Sequence, residues 1–282
     1  MNTKEEIKDE TCCVVSCERP LDQKFWDGQY QANQTGWDLG KASPPLVDLI
    51  DSLENKDISI LIPGAGNAYE AAYLVEKGFT NITVVDIAPT VVEKLQQLYA
   101  GNPNIKIVLD DFFNHQGKYD LIIEQTFFCA LPPFMRPKYV SKMHQLLKAE
   151  GVLSGLLFNR TFEVSPPFGG SQSEYEQLFK AAFIFNELKV AENSVAPRAG
   201  SELFFSFGRN NRVNVSLYQF EGITCSGCMK DVSERFRAIE GVKNVSMNSG
   251  FNEVLIVSNQ EVPLNTLQEA IAYDSKYKIS KN

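Results

Sequence analysis

The sequence predicts an α/β domain of about 200 residues followed by a small α+β domain, and three observations carry the prediction. Residues 58–90 read as strand, glycine turn, helix and strand, with an acid at the tip of the second strand. Strand and helix patterns then alternate up to residue 208. From residue 213 a new alternating strand opens the order β–α–β–β–α–β, that of a ferredoxin-like sandwich.

Composition sets the bounds. The chain has 282 residues, 44% hydrophobic and 22% charged, ordinary for a soluble globular protein. A net charge of −8 argues against nucleic acid or an anionic membrane as a partner. The first ten residues are polar and acidic, unlike a signal peptide, and no apolar run approaches the roughly 20 residues of a membrane span. A cytoplasmic protein is the expectation. Six cysteines are too few for a disulfide scaffold and suggest thiols or metal ligands. The only histidines, His115 and His144, argue against a His-built metal site or a catalytic triad.

Taken in order, residues 1–20 form a leader with Cys12, Cys13 and Cys17, read as unstructured thiols because no histidine or further cluster accompanies them. Residues 24–46 hold both tryptophans, Trp26 and Trp37, with Tyr30 between them. Aromatics crowded into such a segment either pack across a sheet or form a lid whose faces attract a cation and exclude water. The run 58–62 is a buried strand; Pro63 and Gly64 end it, and Gly66 lets the backbone approach a ligand. Ala68, Ala71, Ala72 and Val75 follow at helical spacing up to Gly78, and a strand at 82–85 ends in Asp86. Thr90 and Glu93 read as a capping box for a helix with Val91, Val92, Leu95 and Leu98 inward. A strand at 105–109 leads to Asp110, Asp111, Phe112 and Phe113. The strand at 119–123 delivers Glu124, Gln125 and Thr126 to the carboxyl edge, where open α/β sheets bind ligands. A helix at about 136–148, a strand at 152–158, a helix capped by Ser173 and Glu176, and strands near 186–195 and 202–208 complete an array of about seven strands.

The first unit discriminates between cofactors. A dinucleotide fingerprint needs a third glycine and a free helix N-terminus for pyrophosphate, but Tyr69 stands at that position. No Lys-Ser/Thr follows, so a P-loop does not fit either. S-adenosylmethionine has no phosphate and needs only the glycine turn and an acid for the ribose hydroxyls, which Asp86 supplies twenty residues beyond Gly66. A nucleotide-free α/β unit with a tight turn is the alternative.

The segments FWDGQY, TGWDLG, LIPGAGNAYEAAYL, VVDIAPT, DLIIEQTFFCALPP, PPFGGS and PRAGSE, in this order, resemble the thiopurine S-methyltransferase family, which includes thiol and halide methyltransferases. The likeness covers roughly residues 20–208. It implies a seven-stranded class I methyltransferase fold. It also implies that Trp26, Tyr30 and Trp37 contact S-adenosylmethionine, with Gly64 in the glycine loop and Asp86 at the ribose. Asp111 and Phe112 would lie at the adenine, and Gln125 beside the methionine. Ala65 stands where many members have cysteine, and Tyr30 where plant-type members have tryptophan. Arg136, after PPF, and Arg198, in PRAGSE, match family positions and are candidates to steer an anionic acceptor, with salt-bridge roles as the alternative.

Residues 209–212, RNNR, read as a polar linker between a methyltransferase domain at 21–208 and a second domain at 213–282. That junction predicts that a fragment ending at residue 212 folds alone. The second domain places CxxC, Cys225 and Cys228, in its first loop and resembles the heavy-metal-associated domain of copper chaperones and metal-pumping ATPases. Two thiolates at a helix N-terminus favour a soft ion, Cu(I) first among them, open to a third ligand from a metal chaperone or a small thiol. Ile223 replaces the usual anchoring methionine, and Tyr277 matches the aromatic that shields the metal. Rival readings are a redox pair and a structural thiol pair.

The expected function is methyl transfer from S-adenosylmethionine to a small soft nucleophile: a thiol, a thiopurine, a selenium or tellurium species, or a halide. Such acceptors need little general-base help, and no catalytic base is assigned. The alternative, from another class, is a metal-binding or sensing protein whose methyltransferase fold only binds cofactor.

Overall fold

The computed structural model describes residues 20–281; Cys12, Cys13 and Cys17 lie outside them. Helices α1 (Gln23–Gln31) and α2 (Pro44–Asp51) precede an alternating array. It runs β1 (Ile60–Pro63), α3 (Tyr69–Glu76), β2 (Ile82–Asp86), α4 (Pro89–Leu98), β3 (Ile105–Leu109) and β4 (Tyr119–Gln125). Then come α5 (Arg136–Leu146), β5 (Leu147–Phe158), α6 (Gln172–Phe179), β6 (Phe183–Val190) and β7 (Glu202–Arg209). The seven strands are ordered β3-β2-β1-β4-β5-β7-β6, with β7 antiparallel to both its neighbours and the other pairs parallel. Every residue of β1 and β2 is buried, as parallel strands covered on both faces require. One face carries Leu46, Ile50, Leu74, Val91 and Leu95 from α2, α3 and α4. The other carries Tyr139, Val140 and Met143 of α5 with Tyr175 and Phe179 of α6. The order reverses between β1 and β4, so a crevice opens at their carboxyl ends.

Two helix starts differ from the sequence expectation. The residue before α4 is Ala88, with no side-chain cap of its own. The Thr90 amide donates instead to Asp27 Oδ1 of α1 at 2.7 Å, so the cap comes from another helix. Leu98 ends α4 exposed to solvent, not inward. The capping box of α6 is Ser171 with Glu174, two residues earlier than expected.

The second domain is β8 (Asn214–Glu221), α7 (Ser226–Arg237), β9 (Val242–Met247), β10 (Glu253–Ser258), α8 (Leu264–Ala270) and β11 (Lys278–Lys281). Its antiparallel sheet has the order β11-β8-β10-β9, ferredoxin-like. Alternation splits its strands between two cores. Tyr218, Phe220, Val254 and Ile256 face α7 and α8. Leu255 and Val257, each 1% exposed, join the cluster containing Tyr139 and Met143, with Val213, Val215 and Leu217 packed against it. The sheet therefore lies on α5, and the polar junction does not separate two independent cores. The junction itself is fastened: Arg209 Nε donates to His144 O at 3.1 Å, and Asn211 Nδ2 to Ala149 O at 2.6 Å.

Candidate functional site

The crevice at the β1–β4 switch is a cleft of about 860 Å³, and Trp26, Tyr30, Trp37, Gly64, Gly66, Asp86, Asp111, Phe112, Gln125 and Arg198 all line it. Of the expected residues of this domain, Arg136 alone is absent from the lining. Sequence order explains much of the convergence: Asp86, Asp111 and Gln125 sit at or just beyond the carboxyl ends of β2, β3 and β4, while Tyr30 comes from α1 and Arg198 from the connection between β6 and β7.

The glycine loop carries the closest approaches. Gly64 and Gly66 are left-handed, with φ of +54° and +53°. A Cβ on Gly66 would lie 2.7 Å from the Tyr30 hydroxyl, so only glycine fits under the lid. Asp86 accepts from the Gly66 amide through Oδ2 and from the Ala88 amide through Oδ1, both at 2.9 Å. Burial raises its pKa even so, leaving a desolvated acceptor facing the cleft. Asp111 is exposed and accepts from the Phe113 amide at 2.9 Å, while Phe112 is buried edge-on to Phe113 and Phe127.

The aromatic segment forms the lid. Trp37 meets Trp26 and Tyr30 edge to face, with ring centroids 5.6 and 5.8 Å apart. Burial, then Asp86, pushes the Tyr30 phenol far above its ordinary range, so it remains neutral. The lid is latched twice. Asp38 accepts from Asn67 Nδ2 at 2.5 Å and from the Tyr69 hydroxyl at 3.3 Å. Arg198 donates from Nη2 to the Trp37 carbonyl at 2.8 Å and from Nη1 to Glu202 at 3.1 Å, and it is 9% exposed.

Beyond Gln125 the chain turns sharply. Thr126 has φ +59°, costly for a β-branched residue, and its hydroxyl donates to the Gln125 carbonyl at 2.7 Å. Gln125 Oε1 is buried without a hydrogen-bond partner among the described residues. An orphaned acceptor on the wall of an open cleft is a group waiting for a donor. This fits the ammonium of the methionine half of S-adenosylmethionine, with Asp86 suited to its ribose. The lid aromatics suit its sulfonium.

The far end of the cleft was not assigned from sequence. Phe127, Cys129, Leu131 and Met135 line it from the β4–α5 connection, and Phe158, Phe162, Pro166 and Pro167 from the end of β5 and the loop that follows. The quoted motifs FFCALPP and PPFGGS held this wall, but nothing in their composition said so. Cys129 donates its thiol to the Thr126 carbonyl, and burial followed by Glu124 raises its pKa far above the thiol range. Neither histidine lines the cleft. His115 Nε2 bonds the Tyr119 hydroxyl at 2.7 Å. His144 Nε2 meets the Asn210 carbonyl at 3.2 Å, and burial lowers its pKa to about 4.

In the second domain Cys225 caps α7, its sulfur accepting from the Cys228 amide at 3.3 Å. The two sulfurs are 2.7 Å apart, side by side at the start of α7. The Cys228 thiol is held below its ordinary range, first by Cys225 and then by the Tyr277 hydroxyl. Ile223 and Tyr277 are buried in the domain core, with Cys228 packed against it. Among the described residues no group of three or more His, Cys, Asp or Glu is placed to hold a metal. No helix of the described residues is long and apolar enough to cross a membrane.

The profile of the thiopurine S-methyltransferase family matches residues 21–207, and that of the heavy-metal-associated domain matches residues 217–278. A probable thiol methyltransferase 2 of Arabidopsis thaliana is 32% identical over 185 residues, 63% of this chain and 81% of the relative. Thiocyanate methyltransferase 1 of Brassica oleracea is 30% identical over 202 residues, 69% of this chain and 87% of the relative. The crystal structure of the Burkholderia thailandensis 1,6-didemethyltoxoflavin-N1-methyltransferase superposes with a TM-score of 0.56 at 18% identity, covering 67% of this chain and 87% of that one, and supports the fold.

Proposed function

The chain belongs to the thiopurine S-methyltransferase family and carries a heavy-metal-associated domain, and from that premise we propose that it methylates a small soft nucleophile while Cys225 and Cys228 hold Cu(I). S-adenosylmethionine, when bound, supplies an activated methyl group on a sulfonium. The residues align and desolvate. Asp86 accepts from the ribose, Gln125 Oε1 accepts from the ammonium, and Trp26, Tyr30 and Trp37 enclose the positive charge and exclude water. They would hold the methyl donor so that the acceptor's lone pair approaches in line with the carbon–sulfur bond that breaks as the new bond forms. Among the described residues no lining histidine or thiolate is available as a base, which favours acceptors that arrive as anions or soft nucleophiles, such as thiols and thiocyanate. An anionic acceptor meets the exposed Arg160 more readily than Arg198, whose charge is paired with Glu202.

The orphaned Gln125 oxygen carries this reading. Gln125→Leu and Asp86→Ala should each weaken S-adenosylhomocysteine binding by about 10- to 100-fold, the loss of charge-assisted hydrogen bonds worth about 1.5–3 kcal/mol. Calorimetry showing wild-type affinity in both variants would remove the cofactor from this cleft.

For the metal, two adjacent sulfurs match the low coordination number of Cu(I), whereas structural Zn(II) takes four ligands. A partner metal chaperone or a small thiol can supply the third ligand, because Cys225 is exposed. Cys225→Ser with Cys228→Ser should abolish retention of one Cu(I) against a competing chelator. Equal retention by the double variant would put the metal elsewhere.

A further inference from the structure

We propose that Arg136 is a positioning residue for the methyl acceptor, acting through the loop 160–170 that walls the acceptor end of the cleft; this rests on the methyltransferase reading above. Strand order fixes which end that is. The ribose and adenine residues follow β2 and β3, Gln125 ends β4, and the loop leaves β5 on the opposite side of β4. A molecule attacking the methyl group enters from there. Arg160, Phe162, Pro166 and Pro167 of the loop line the cleft.

The loop is pinned at its base and free at its tip. The Gly170 amide donates to the Arg160 carbonyl at 3.0 Å and the Phe168 amide to the Cys129 carbonyl at 2.6 Å, while Val164 at the tip is 76% exposed. A Cβ on Gly169 would lie 1.8 Å from the Arg160 carbonyl oxygen, so the closure leaves room for no side chain. Arg136 completes it. Its Nη2 donates to the Gly169 carbonyl at 2.6 Å, and its guanidinium lies 5.1 Å from the Phe128 ring centroid. Phe128 in turn packs on Tyr139 and Tyr175 in the core. Arg136 therefore ties the acceptor loop to the rigid face of the sheet from outside the cleft lining. Its other side opens on a groove shared with Ser246, Met247, Asn248 and Ser249 of the second domain, so that domain flanks the same anchor.

A positioning role and a charge-steering role predict different patterns. Thiocyanate is small and anionic, whereas an aromatic thiol such as thiophenol is large enough to touch the loop. With Arg136→Met, KM for thiophenol should rise about tenfold while kcat, S-adenosylhomocysteine affinity and KM for thiocyanate stay within about twofold. Arg136→Lys, which keeps one donor for Gly169, should recover part of the loss. A parallel rise for thiocyanate would mean that Arg136 steers anions, and a parallel loss of cofactor affinity would mean general destabilisation; either overturns the proposal. Amide hydrogen exchange gives a readout independent of turnover: residues 160–170 should exchange faster in Arg136→Met, and unchanged exchange there overturns the proposal as well. Absence of turnover by the wild-type protein with both acceptors would instead strike the methyltransferase reading, leaving exchange to decide the role of Arg136.

Discussion

Glu124 is fully buried behind the cleft, accepting from the Phe127 and Phe128 amides at 2.8 and 2.9 Å and from the Tyr139 hydroxyl at 2.8 Å. These bonds hold the turn that presents Gln125. Burial outweighs them and pushes its pKa up to about 7. A carboxyl raised from the usual 4.5 contributes stability fully present below about 4.5 and lost as pH rises through about 7. Glu124→Gln should thus gain stability relative to wild type between pH 5 and pH 8, by on the order of 2–3 kcal/mol. Parallel thermal-denaturation curves against pH for the two proteins would refute the assignment. At this scale the sequence was readable where chemistry coincides with a strand end, as at Asp86 and Gln125. It was not readable at Arg198 or Arg136, whose partners Trp37 and Gly169 are distant in the chain and are chosen by tertiary geometry.

Among the elements, α1 shows why local signals mislead. Thr90 and Glu93 match a capping box, yet Asp27 takes the Thr90 amide and Gln23 Nε2 donates to the Ile87 carbonyl at 3.0 Å. The lid helix is thereby fastened over the end of β2. Tertiary contact overrode the local pattern because docking α1 both caps α4 and roofs the cleft. Asp27→Ala should lose a cap worth about 1 kcal/mol and weaken S-adenosylhomocysteine binding several-fold. Hydrogen exchange across residues 23–31 should rise, and unchanged exchange with unchanged affinity would show that α1 is held otherwise. The strands followed from apolar runs and Gly/Pro punctuation, but their order in the sheet did not, and the loop 160–170 carries no periodicity from which its place on the acceptor wall could be read.

For the whole molecule, composition and the polar RNNR junction suggested two separable bodies, but the outward face of the second sheet is apolar and lies on α5. Burying Leu255 and Val257 is worth about 1.5–3 kcal/mol each, so a chain ending at residue 212 should have a clearly lower Tm than the full chain. Equal Tm values for the methyltransferase transition would mean that the shared core contributes nothing. This packing keeps the two-thiol site on a body attached to the methyltransferase and flanking the anchor of its acceptor loop. The most direct test of the account is to incubate the full chain with methyl-labelled S-adenosylmethionine and, separately, hydrosulfide, thiocyanate, thiophenol and iodide, then identify the labelled products. A methylated sulfur product should form from at least one of the first three, and at limiting cofactor its yield should fall sharply with Asp86→Ala; tight cofactor binding with no methylated product from any acceptor would contradict the methyltransferase reading and leave a metal-binding protein that merely retains the cofactor cleft.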